Sequence, residues 1–102
     1  MKYFDGLSAL IDQYGNEEEE GWILLEDRSP LENASSLTTA RFIVADDEDE
    51  ENVLLDTHPS FLEIPTFRAV IDNERDASRT SVDDIAAASI YYLKMDAFRD
   101  CA

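Results

Sequence analysis

The sequence predicts an α+β fold in which about three helices pack on a small antiparallel sheet of two or three strands, all within a single acidic domain spanning residues 1–102. Three observations carry that expectation. Apolar residues recur every three or four positions in the stretches 4–14, 65–76 and 82–98, the spacing of one helical face. Two short runs, Trp22-Ile23-Leu24-Leu25 and Arg41-Phe42-Ile43-Val44-Ala45, are too short for helices and have the aliphatic, aromatic and β-branched content of strands. A chain of 102 residues that is 44% hydrophobic, with one tryptophan, four tyrosines and five phenylalanines, supplies one core and leaves no room for a second.

Taken in order, the first helix places Phe4, Leu7, Leu10, Ile11 and Tyr14 on one side and stops at Gly15-Asn16, a pair suited to a left-handed cap. Glu17-Glu18-Glu19-Glu20 repel one another and read as a solvated loop before the strand at Trp22. Residues 28–39, with Ser29-Pro30, Asn33 and Ser35-Ser36, have loop composition. The strand at 41–45 runs into Asp46-Asp47-Glu48-Asp49-Glu50-Glu51, read as a flexible anionic loop, after which Val53-Leu54-Leu55-Asp56 suggests a third strand closing a hairpin with a charged tip. Pro59 to Ile64 reads as a single helical turn leading to Pro65, a residue suited to the first helical position, and the helix then runs to Asp76 with Phe67, Val70 and Ile71 inward. Ser81 followed by Asp83 and Asp84 has the chemistry of a helix start, because a hydroxyl accepts from open amides and acids complement the dipole. From there to about Phe98, the residues Val82, Ile85, Ala86, Ile90 and Leu93 form an apolar stripe widened by Tyr91, Tyr92 and Met95.

The charge bounds the function. With 24 acids against 8 lysines and arginines the formal net charge is −16, which disfavours direct contact with nucleic acid or anionic membranes within a screening length of about 8 Å. The same field draws in cationic surfaces and accelerates their association, so the favoured partner is a basic protein. The lone cysteine, Cys101, has no second thiol to bridge, and residues 1–5 hold no apolar run long enough for a signal-peptide core or a membrane span; both point to the cytoplasm.

Nothing in the sequence assembles catalytic machinery. His58 is the only histidine and precedes a proline in a turn, Cys101 lies at a terminus, and the three glycines are isolated, so no nucleophile–base pair or phosphate loop is apparent. The stretch from Asp47 resembles a calcium loop only superficially, since the sixth position is not glycine and the twelfth is His58 instead of a bidentate glutamate. The expectation is a protein that is not an enzyme and uses no metal or cofactor.

Ten of the 24 acids fall in two segments, 17–20 and 46–51. Solubility alone explains charge runs in many proteins and would make this chain an accessory subunit, but a net charge of about 2–8 in magnitude suffices for that. The sharper reading assigns partner binding to Asp46, Asp47, Glu48, Asp49, Glu50 and Glu51, together with Glu18, Glu19, Glu20 and Trp22. Their carboxylates would meet arginines and lysines of the partner, and Trp22, Phe61 and Tyr91 or Tyr92 would supply the desolvated centre.

The segments Phe61-Leu62-Glu63-Ile64-Pro65-Thr66-Phe67, Ser81-Val82-Asp83-Asp84-Ile85 and Tyr91-Tyr92-Leu93-Lys94-Met95-Asp96-Ala97-Phe98 resemble small acidic bacterial immunity proteins of contact-dependent growth inhibition and related polymorphic toxin systems. The resemblance covers roughly residues 40–98. It implies an antitoxin that plugs the active site or substrate groove of a cationic nuclease toxin, and it implies no binding role for Tyr91, Tyr92 or Phe98. The rival reading is a nucleic-acid mimic of the anti-restriction or anti-CRISPR type. A mimic of duplex DNA should carry its acids in rows on rigid elements, whereas here ten lie in two expected loops.

Overall fold

In a computed structural model, described over residues 1–15 and 19–98, the chain runs β1 (Lys2–Asp5), α1 (Leu7–Tyr14), β2 (Trp22–Leu25), a 3-10 turn (Ser29–Glu32), α2 (Ala34–Thr38), β3 (Arg41–Val44), α3 (Glu48–Thr57), β4 (Ser60–Glu63), α4 (Ile64–Asp76) and α5 (Val82–Met95). The α+β class and antiparallel sheet agree with expectation, while both helices and strands exceed the numbers expected. The four strands lie in the order β1-β3-β2-β4, and every pairing is antiparallel.

The sheet has two covered faces. On one, Phe42, Val44, Ile23, Leu25 and Phe61 meet Leu7, Leu10 and Tyr14 of α1, Leu37 of α2, Phe67, Val70 and Ile71 of α4, and Ile85, Ala86 and Ile90 of α5. Rings lock its centre: Phe61 lies 5.4 Å from Phe42 and 5.8 Å from Phe67, both at the inclined angles aromatic pairs favour. On the other face a smaller cluster joins Leu24 and Ile43 to Leu54 of α3. The exposed part of that face is tied by Arg41, whose guanidinium sits 4.3 Å from the Tyr3 ring centre and 3.4 Å from Asp5.

Several expectations are corrected, each for a physical reason. Phe4 and Asp5 belong to β1 and not to the first helix, because their backbone completes the sheet beside Phe42 and Arg41. Gly6, at φ 90°, turns the chain into α1. Gly15 ends α1 in a right-handed conformation, φ −65°, instead of the left-handed cap expected, and Asn16 lies outside the described residues. The stretch 28–39 contains the 3-10 turn and α2, the latter started by Asn33, whose side chain accepts from the Ser36 amide at 2.8 Å. Val53 to Asp56 is helical, so no hairpin joins it to β3. Pro59 to Ile64 holds a strand where a helical turn was expected, since the Ile64 amide donates to Gly21 and the Leu25 amide to Pro59. The last helix ends at Met95, where Asp96 takes the left-handed conformation at φ 53°. Leu93 and Met95, expected in the core stripe, are exposed.

The largest correction concerns the acidic run. Residues 47–51 are not a loop but the cap and first turn of α3, and Asp46 stands just before the cap. Asp47 Oδ1 accepts from the Glu50 amide at 2.8 Å, and Glu50 Oε1 reaches back to the Asp46 amide at 3.0 Å, a reciprocal arrangement close to a capping box. Glu48, Asp49, Glu50 and Glu51 then lie in the first turn, where the open amides and the positive helix end favour carboxylates. Replacing Asp47 by alanine should cost about 1 kcal/mol in chemical denaturation, and Asp47→Asn, which keeps the accepting oxygen, should cost much less.

Candidate acidic binding groove

Two of these features meet in one place. β2 enters the sheet through Glu20-Gly21-Trp22, pairing Trp22 with Glu63 at the end of β4, and the β3–α3 junction carries Ala45 to Glu48 alongside. Between them lies an open groove of about 660 Å³. Six carboxylate residues line it, Glu20, Asp46, Asp47, Glu48, Glu51 and Glu63, and Trp22, Ala45 and Pro65 supply its apolar surface. Among the described residues no lysine, arginine or histidine lines it.

Gly21 makes the close approach possible. Its φ of 124° is a conformation that L side chains rarely adopt, and a β-carbon there would sit 3.3 Å from Glu51 Oε2. Gly21→Ala should therefore lower stability by about 1–3 kcal/mol, read by urea unfolding, and push the Glu51 carboxylate outward.

The carboxylates divide by what they already hold. Asp46 and Glu50 both pair with the Met1 ammonium, Glu50 at 2.9 Å. Hydrogen bonding to that ammonium holds both carboxyls below their usual range, and the two acids raise the amine above its own. The sign follows from each shift. The amine's contribution is complete below its ordinary pKa, about 8, and disappears as pH rises through the raised value; the carboxylates' contribution disappears as pH falls through their lowered values. Amide exchange at the start of α3 should accelerate at both extremes, relative to the intrinsic rate at each pH, and N-acetylation of the chain should abolish the alkaline limb. By contrast, Glu20, Glu48, Glu51 and Glu63 form no ion pair with any described residue.

Of the residues expected to bind a partner, Glu20, Trp22, Asp46, Asp47, Glu48 and Glu51 share this groove. Glu19, Asp49 and Glu50 are not among its lining residues, and Glu18 lies outside the described residues, as does Cys101. Phe61 is 1% exposed and serves the core, so it is not available as an anchor, whereas Trp22 is only partly buried. Glu63 and Pro65 were not anticipated. Their signal lay in the strand preceding the proline, which places Glu63 beside Trp22 once it is recognised. Among the described residues no cluster of three or more histidine, cysteine or acidic side chains has metal-binding geometry, and no helix is long and apolar enough to cross a membrane.

A scan of protein-family models, a search of curated proteins and a search of solved structures each find no match to this chain.

Proposed function

We propose that this protein is an immunity-type inhibitor that neutralises a cationic protein, of the nuclease toxin class, by covering its phosphate-binding cleft with the acidic groove. It acts stoichiometrically and without turnover. The observation that carries the reading is the groove itself, with six carboxylate residues around Trp22 and no lysine, arginine or histidine among its described lining residues. Such a surface offers a basic cleft what the nucleic acid backbone offers, closely set negative charge, while Trp22 gives a desolvated centre that bare charge lacks. The toxin class comes from the resemblance of residues 61–67, 81–85 and 91–98 to immunity proteins; the charge alone argues only for a basic partner.

The test is stopped-flow association and activity inhibition with the basic protein encoded beside this chain. One-to-one inhibition with an association rate that falls steeply with added salt is expected. Undiminished binding in about 1 M salt, where the Debye length is about 3 Å, would remove the electrostatic premise.

The nucleic-acid mimic gains one specific observation. Its acids were expected on rigid elements, and Asp47 to Glu51 do cap and open a helix. The two readings separate by breadth: a mimic competes with duplex DNA for several unrelated DNA-binding proteins, whereas an immunity protein selects one.

A further inference from the structure

A second hollow, of about 340 Å³, adjoins the acidic groove and shares Trp22 and Glu63 with it. It runs along β4, the strand at the sheet's edge, and reaches the C-terminal end of α5. Its surface is of a different kind. Leu62, Tyr92 and Leu93 join Trp22, and the acids Glu63 and Asp96 also line it. Leu93 is 40% exposed, and Tyr91 and Met95 of the same helix are exposed as well, while that helix buries Ile85, Ala86 and Ile90. An apolar residue left open beside an edge strand and two carboxylates suits an incoming extended chain, because an edge strand favours extended neighbours and the acids favour cations on either side of an apolar contact.

Resting on the function proposed above, we propose that the two hollows form one continuous docking surface whose occupant is an extended segment of the basic partner, carrying an aliphatic side chain next to its arginines or lysines. The cationic residues lie in the groove formed by Glu20, Glu48 and Glu51. The chain then crosses Trp22, and its aliphatic residue settles against Leu93 beside β4. Charge sets the rate of encounter and the apolar contact sets the residence time.

The experiment uses the full chain, isotopically labelled, and two blocked peptides of equal charge: Arg-Arg-Ser-Leu-Val-Ser-Arg-Arg and its control with Gly-Gly in place of Leu-Val. The control is expected to shift only the amides of 20–22 and 46–51. The Leu-Val peptide should in addition shift Ser60 to Glu63 and Leu93, and bind about fivefold more tightly, the scale of one partly buried aliphatic side chain. Leu93→Ser, at an exposed position, should erase that difference while leaving the control's affinity unchanged. Equal affinities with no shift at Leu93 would overturn the shared surface and leave the acidic groove standing. Shifts at Leu93 with none at 46–51 would instead overturn the acidic groove as the cationic site, and with it the proposed function.

Discussion

Glutamine at positions 20, 48, 51 and 63 together should slow association with the proposed basic partner by at least about tenfold at low salt, and flatten the salt dependence of what remains. The four positions are chosen because they line the acidic groove and hold no ion pair with any described residue. Neutralising the whole run 46–51 would confuse two effects, since Asp47 caps α3 while Asp46 and Glu50 hold the Met1 ammonium. The fourfold variant spares those contacts, so its circular dichroism should match the parent's, with an unfolding midpoint lowered slightly by the loss of two carboxylates from the first turn of α3. Dissociation should change less than association, because the carboxylates steer encounter while Trp22 remains in place. An association rate equal to the parent's, in a variant of intact fold, would leave the charge with no role beyond solubility.

Arg79→Ala should lower stability by about 3 kcal/mol, a large fraction of what a domain of this size possesses. Arg79 closes the turn after α4 in three ways: its Nε and Nη2 donate to the two carboxylate oxygens of Glu74 at 2.9 and 2.7 Å, and its backbone amide donates to the Glu74 carbonyl at 2.8 Å. Glu74 is fully buried, while Arg79 keeps 22% of its side chain exposed. Removing the arginine takes the bidentate donor from a carboxylate that cannot reach bulk water. The partial exposure of Arg79 lets solvent approach once the side chain is gone, which places the loss at the lower end of the range for broken buried pairs, about 3–5 kcal/mol. Urea denaturation of Arg79→Ala and of the double variant Glu74→Leu with Arg79→Met distinguishes a lost ion pair from a lost contact. If the pair matters chiefly because half of it is buried, the apolar double variant recovers most of the loss.

The sequence was legible where apolar periodicity and end chemistry agreed. α4 and α5 showed both, with Pro65 and Ser81 at their starts and buried Phe67, Val70, Ile71, Ile85 and Ala86 on their inner faces. β2 and β3 were legible as short apolar runs because they are central strands covered on both sides. The two edge strands were not. β1 carries two charges in four residues, and β4 presents Ser60 and Glu63 to solvent, so neither has the signature of a buried strand. α3 was hidden because only Leu54 is buried and its first turn is entirely acidic, a pattern identical to a disordered tract unless Asp47 and Glu50 are recognised as reciprocal caps. Five of the six acids lining the candidate groove were therefore singled out, Glu63 being the exception, but their setting was not: a helix start facing Trp22 and Glu63 across a groove.

The strand order carries a consequence for kinetics. β1 pairs with β3, β2 with β3 and β2 with β4, so even the nearest paired strands are separated by residues 26–40, and none is joined to its neighbour by a tight turn. Each strand pairing must close a long stretch of chain before it is rewarded, which places folding behind that of helical bundles rich in local contacts. On the ribosome the sheet cannot complete until Ser60 to Glu63 have emerged. The groove that Trp22 and Glu63 form together thus cannot mature before β4 has left the tunnel, with α4 and α5 still to follow.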